Sequence, residues 1–336
     1  MSIPQKKRSK PPVDSEALYT LISQGDKTAL AKAITLVESS NLSDFEQAEQ
    51  LVTQSLRKPN NSIRIGITGV PGVGKSTFID AFGSYLTNIG KKVAVLAVDP
   101  SSSITKGSIM GDKTRMEQLS KDPNAFIRPS PAKDSLGGVT KKTRETIILC
   151  EAAGFDVILV ETVGVGQSET LVHSMVDFFL LLKLPGAGDE LQGVKRGIME
   201  MADAIVINKA DGEYLKAVTY AMSEFKRALH LYPPKENTWI PKVSSCSALH
   251  QTGIEAIWEI ITDFMKLTQK NGHFNKNRSK QNKDWFLQTV EEQLRLRFFS
   301  KDTIKKKMKA ILAEVENRNL SPVTAAHKLL TEHDRK

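Results

Sequence analysis

The chain has 336 residues, a formal charge of +9, 40% hydrophobic residues and two cysteines. This length suits a core of about 200 residues with attachments. No apolar run nears the roughly 18 residues of a bilayer span, so no membrane role is expected. Two cysteines and scattered histidines argue against a disulfide framework and against a protein-built zinc or nickel site.

Residues 1–12 carry Lys6, Lys7, Arg8 and Lys10 with no apolar core, and read as a disordered tail rather than a signal peptide. A cytoplasmic location is therefore expected. Residues 13–61 read as a helical region. Ala17, Leu18, Leu21 and Ile22 recur at helical spacing, Gly25 breaks the pattern, and Leu30, Ala33, Ile34 and Val37 resume it. Ser43 with Glu46 has the form of a capping box opening a third helix.

Over 62–268, strand-like and helical runs alternate, with strands expected at Ile63–Thr68, Val93–Val98, Ala125–Arg128, Val157–Val160, Phe178–Leu182, Ala204–Ile207 and Trp239–Val243. Such alternation predicts an α/β fold, a mostly parallel sheet sandwiched by helices, with helical extensions at both ends. Ligands then gather at the carboxyl ends of the strands. The first run leads into Gly69-Val70-Pro71-Gly72-Val73-Gly74-Lys75-Ser76-Thr77, a G-x-x-x-x-G-K-[ST] phosphate loop of the P-loop NTPase kind. Its glycines let backbone N–H groups wrap phosphates at a helix start; Lys75 reaches the β- and γ-phosphates and Ser76 a Mg²⁺ ion.

Asp99 and Glu161 each follow a strand and are delivered to the same end of the sheet, and Asp112 lies in the glycine-broken loop Gly107–Arg115. With Ser76 they form the candidate Mg²⁺ neighbours. Glu161-Thr162-Val163-Gly164 stands where many GTPases have Asp-x-x-Gly, a turn that senses the γ-phosphate; Gln167 lies too far along to inherit a water-orienting role. The Pro185–Arg196 loop, with its glycines, Asp189 and Lys195, suits a segment that rearranges with nucleotide state. The candidate catalytic set is Lys75, Glu161, Gly164 and Lys195.

Asn208-Lys209-Ala210-Asp211 follows another strand and reads guanine, because the Asp211 carboxylate can accept from N1–H and the 2-amino group, a donor pair adenine lacks. Ser247-Ala248-Leu249 is where a backbone N–H would meet guanine O6. GTP with Mg²⁺ is the expected ligand. Residues 269–283, rich in Asn, Lys and Gly, read as a linker. Residues 284–336 read as a helical arm, with Trp285, Phe286, Val290 and Leu294 on one face and Ile304, Met308, Ile311, Leu312 and Val315 on another. Thirteen Lys/Arg against four Asp/Glu fall between Lys266 and Lys309. With no named nucleic-acid motif, this reads as a solvated face rather than a nucleic-acid surface.

Taken together, AVDPSSS, GSIMGDKTRM, FIRPSP, LGGV, ETVGVGQSE and LPGAGDELQGVKRGIMEMAD resemble the MeaB/ArgK family of methylmalonyl-CoA mutase-associated GTPases, formerly labelled lysine/arginine/ornithine transport ATPases. The chain departs from that family at Ala132-Lys133-Asp134-Ser135, which adds a carboxylate. The resemblance implies a GTP-hydrolysing chaperone that assists an adenosylcobalamin-dependent acyl-CoA mutase in cofactor loading and protection. It also implies a homodimer held by the carboxyl-terminal arm, and a cobalamin adenosyltransferase as a further candidate partner. Two other readings stay open: a kinase linked to amino-acid transport, for which no substrate pocket or base is marked, and a metallochaperone GTPase, for which no Cys/His cluster is present.

Overall fold

The computed structural model describes residues 14–39, 41–58, 61–98, 116–129, 136–162, 168–186 and 196–334. They divide into two compact units, Met1–Ser279 and Lys280–Lys336. Seven parallel strands form the sheet of the first unit: β1 (Ile63–Gly69), β2 (Val93–Val98), β3 (Ala125–Arg128), β4 (Val157–Thr162), β5 (Phe178–Lys183), β6 (Ala204–Ile207) and β7 (Lys242–Ser245). Their order is β3-β2-β4-β1-β5-β6-β7. The chain leaves β1 toward one edge, returns to β4 beside it, and then crosses to β5 on its other side. Central β1 is thus where the order reverses, the place where such sheets bind ligands at their carboxyl ends.

Burial on both faces accounts for the nearly continuous apolar strands. Ile65, Ile67, Phe178, Leu180 and Leu182 point into a core shared with Phe78 and Phe82 of helix α4 (Lys75–Asn88). The alternate residues Ala94, Leu96, Ile158, Val160 and Phe179 face a second core. The lead-in helices α1 (Ser15–Ser23), α2 (Lys27–Val37) and α3 (Leu42–Leu56) cover that core together with α5 (Leu136–Ala152) and α6 (Ser168–His173). A third cluster packs α7 (Arg196–Met201) and α8 (Leu215–Leu229) on β5 and β6. Each fully buried Phe or Ile here contributes roughly 1.5–3 kcal/mol. Helix α9 (Ile254–Lys270) returns to the first core through Ile257, Ile261 and Phe264. Cys150 and Cys246 are both free and buried, which raises their thiol pKa values, Cys246 to about 12, so neither is a reactive thiolate.

Three sequence expectations change. The last strand starts at Lys242, not Trp239, since Pro241 offers no N–H to a ladder and the Trp239 indole instead donates to the Asp203 carbonyl at 2.8 Å. No capping box opens α3: its N-cap is Asn41, and Ser43 lies inside the helix with its hydroxyl on the Asp44 carboxylate at 3.2 Å. The expected linker is helical, because α10 runs unbroken from His273 to Ser300.

The start of α10 is fixed by charge rather than by apolar content. Arg278 donates Nε and Nη2 to the two Asp177 carboxylate oxygens at 2.8 and 2.7 Å, and Nη2 also to the Ser62 carbonyl at 2.8 Å. Asp177 in turn accepts from the Arg64 backbone N–H at 2.9 Å, while the Arg64 side chain is bidentate to Glu151 at 2.8 Å for both bonds. Burial alone would raise the Glu151 pKa, but Arg64 and Arg278 together bring it below the usual carboxylate range.

In the second unit, α11 (Asp302–Glu316) packs on α12 (Pro322–Asp334) and buries Ile304 and Ile311. Phe286, Val290 and Leu294 of α10 stay exposed. Arg278→Ala leaves Asp177 buried without its guanidinium, and urea denaturation is expected to show a loss of about 3–5 kcal/mol. Arg278→Lys, which keeps the charge but loses the fork, is expected to recover only part of it.

Candidate functional site

Strand β1 ends in the turn 70–74, and Gly74 is the N-cap of α4 in a left-handed conformation, φ 91°. A Cβ there would lie 2.8 Å from Asn208 Nδ2, so backbone freedom and close approach both demand glycine at this position. Lys75 Nζ donates to the Gly69 carbonyl at 2.8 Å and to the Val70 carbonyl at 3.4 Å, bridging the mouth of the turn. Burial lowers the Lys75 pKa, and the carboxylates of Glu161 and Glu169 oppose that shift. Pro71, Gly72 and Thr77 are exposed along the turn, and Val73 is buried beneath it.

Glu161, 3% exposed near the end of β4, accepts from Ser76 Oγ at 3.5 Å. The hydroxyls of Thr162 and Thr68 are linked at 2.9 Å between β4 and β1. Lys75, Ser76 and Glu161 therefore converge at the carboxyl ends of β1 and β4. Asp99, Asp112, Gly164 and Lys195 lie outside the described residues, as do Asp189 and the Ala132–Ser135 stretch. The sequence reading missed Glu169, a buried carboxylate in the first turn of α6 whose charge acts on Lys75. The available signal was its place in Ser168-Glu169, a few residues after Glu161 in the sequence Glu161-Thr-Val-Gly-Val-Gly-Gln-Ser-Glu169.

The second half of the site is built around Asn208, 2% exposed at the end of β6. Its Nδ2 donates to the Val73 carbonyl at 2.8 Å, and its Oδ1 accepts from the Ala248 N–H at 3.2 Å and from Cys246 Sγ at 3.5 Å. One side chain thus ties the turn after β1 to the loop after β7. Lys209 follows with φ 59°, and the Ala210 N–H donates to the Cys246 carbonyl at 3.0 Å. The Ser247 hydroxyl donates to Asp211 Oδ2 and accepts from the His250 N–H at 3.2 Å. A two-way backbone bridge between Ser247 and Thr252 fixes this loop, leaving Leu249 at its exposed tip. Asp211 is thereby held beside the Ser247–Ala248 segment, with one of its carboxylate oxygens taken by the Ser247 hydroxyl.

The family model described as "Methylmalonyl Co-A mutase-associated GTPase MeaB" matches residues 30–303. The chain belongs to the MeaB family. Among curated relatives it is 48% identical to a probable GTPase of Mycobacterium tuberculosis over 315 residues, 94% of each chain. It is 46% identical to the GTPase ArgK of Escherichia coli over 308 residues, 92% of this chain and 93% of that one. The mitochondrial methylmalonic aciduria type A homolog of Mus musculus is 44% identical over 325 residues, 94% of this chain and 78% of the mouse protein. A crystal structure titled as a LAO/AO transport system kinase superposes with a TM-score of 0.77 at 38% identity, covering 96% of this chain and 98% of that one. This MeaB-family chain is a GTPase on a seven-stranded parallel sheet.

On the guanine reading of Asp211, Asp211→Asn presents an amide where the base requires an acceptor. Calorimetric titration is expected to show GTP affinity falling by about 100-fold or more, with xanthosine triphosphate becoming the preferred ligand.

Proposed function

We propose that this GTPase times the service of an adenosylcobalamin-dependent acyl-CoA mutase, admitting and protecting the mutase cofactor according to nucleotide state. The family description, a GTPase associated with methylmalonyl-CoA mutase, supports this reading most directly. The kinship with a methylmalonic aciduria type A homolog is in keeping with it. A cobalamin adenosyltransferase fits the same reading as a second client, and a cytoplasmic setting suits a bacterial-type chaperone of this kind.

The chemistry falls to groups already converging at the end of β1. GTP phosphates would replace the carbonyls of Gly69 and Val70 as partners of Lys75, whose charge then stabilises the transferring phosphoryl. Val70 and Gly72 to Thr77 supply N–H groups around the turn and at the start of α4, where the helix dipole favours anions, and Pro71 shapes the turn without donating. Ser76 and Glu161 fit Mg²⁺ as hard oxygen donors within reach of each other, with Asp99 and Asp112 as further candidates from the sequence. When bound, the ion neutralises charge on the β- and γ-phosphate oxygens. Gly164 would follow the γ-phosphate, and Lys195 in the Pro185–Arg196 loop would report its state to the partner. Asn208 and Lys209 would flank the base, with Asp211, Ser247, Ala248 and Leu249 reading and covering its edge.

A GTPase assay with and without purified mutase tests the reading. The mutase is expected to accelerate hydrolysis several-fold, and Lys195→Ala to reduce that acceleration while leaving GTP affinity unchanged. A mutase with no effect on the wild-type rate overturns it.

The exposed Phe286, Val290 and Leu294 on one face of α10 fit a two-fold contact between copies of the chain. Light scattering is expected to give a dimer for the full chain. A chain ending at Lys283 keeps Arg278 and all nucleotide motifs, and is expected to be a monomer that still binds GTP.

A further inference from the structure

The two faces of β1 carry different chemistry where the strand reaches the phosphate loop. Side chains alternate along a strand, so Glu161, in register with Ile67, shares the face of Ile65, Ile67 and Leu159, which α4 covers. Gly66, Thr68 and Thr162 share the opposite face with Val160, and α6 packs there through Val172. Gly66 lets that helix come close, because a Cβ at this position would lie 2.9 Å from Val172 and 3.0 Å from Val176.

Because α6 connects the carboxyl end of β4 to the amino end of β5, its first turn lies at the carboxyl end of the sheet. Glu169 stands one turn before Val172 and His173, hence on the same side of the helix, turned toward the sheet. The rise from Val172 back to Glu169 is about 4.5 Å, against about 3.3 Å per strand residue, so Glu169 stands more than one residue beyond Gly66 along β1. Helical side chains lean toward the N-terminus, which carries the carboxylate on toward Thr68 and Gly69. There the face turns polar. Thr162 and Thr68, 0% and 2% exposed, link their hydroxyls at 2.9 Å, and Glu169 is 3% exposed.

Lys75 is the cation at this junction. Its Nζ lies 2.8 Å from the carbonyl of Gly69, the residue after Thr68, and the charges of Glu161 and Glu169 both act on it. The two acids differ in what else they meet. Glu161, on the α4 side, has Ser76 Oγ at 3.5 Å, and that pair fits Mg²⁺. Glu169 is on the other side of β1. An acid in the first turn of a helix gains from the dipole when exposed, but a carboxylate buried this deeply is costly unless a cation stands near it. An ammonium on a flexible stem, in turn, needs a fixed counter-charge to keep one direction once phosphates replace the Gly69 and Val70 carbonyls.

We propose that Glu169 is a positioning residue for GTP hydrolysis, its buried carboxylate steadying the Lys75 ammonium from the α6 side of β1 so that the charge stays aimed at the transferring phosphoryl. The proposal rests on the assignment of Lys75 to the phosphates and is independent of any partner protein. In this role Glu169 acts through Lys75 rather than on the nucleotide.

Single-turnover hydrolysis and calorimetric GTP affinity of the wild type, Glu169→Gln, Lys75→Met and the double variant test it. Glu169→Gln keeps the shape and removes the charge. It is expected to slow hydrolysis at saturating GTP about tenfold while affinity changes by less than about threefold, a split that a merely structural role would not produce. In the Lys75→Met background the Glu169 carboxylate faces the phosphates without the lysine charge between them, so adding Glu169→Gln is expected to raise GTP affinity about threefold or more. A wild-type rate for Glu169→Gln, an equal effect on affinity in both backgrounds, or a double variant that binds no tighter than Lys75→Met overturns the proposal. If Lys75→Met itself binds and hydrolyses GTP as the wild type does, the phosphate-loop assignment falls and the proposal with it.

Discussion

Asn208 is the tie on which the candidate nucleotide site depends. Its amide joins the carbonyl of Val73, in the turn after β1, to the N–H of Ala248, in the loop after β7. β1 and β7 are separated in the sheet by β5 and β6, so no ladder hydrogen bond could hold their loops in register. A buried side chain with one donor and one acceptor spent on backbone groups does so, at the cost that both must be satisfied together. Gly74 follows from the same constraint, because the approach of Asn208 leaves no room for a Cβ. The phosphate half and the base half of the site are thus a single assembly.

The opposite end of the sheet is held by different physics. Arg64, Glu151, Asp177 and Arg278 form a buried charge network that seats the start of α10 below β1 and β5. Ion pairs of this kind add little stability compared with apolar packing, yet removing one member is costly, so they specify position more than they add strength. The guanidinium of Arg278 also lies over the Phe274 ring, 4.4 Å from its centre, which helps a helix of low apolar content to begin where it does.

The composition of 269–283 suggested a linker, and that reading failed for a physical reason. Asn and Gly have low helix propensity, but propensity is a weak prior where tertiary contacts are strong. Arg278 meets partners contributed by Ser62 before β1, by Glu151 of α5 and by Asp177 before β5, more than 100 residues away in the chain, and no local pattern reports them. Ser43 and Glu46 show the converse error. Their spacing matches a capping box with Ser43 as N-cap, but the observed N-cap is Asn41 and the helix starts two residues earlier than that box requires, at Leu42.

The sequence by itself determined the parallel α/β sheet, six of the seven strands to within two residues, the phosphate loop, and the Asn208 to Asp211 and Ser247 to Leu249 segments, because each is a local pattern with a local physical cause: periodicity, glycine at a required turn, or a strand ending where a ligand group is needed. Only the tertiary structure decided that Asn208 bridges two loops, that Glu169 joins Glu161 in the field of Lys75, that Ser247 holds Asp211, and that α10 is seated by Arg278. Those are pairings between residues distant in the chain. They exist because folding brings buried polar groups together and requires each to find a partner, a condition set by the whole fold rather than by any one segment.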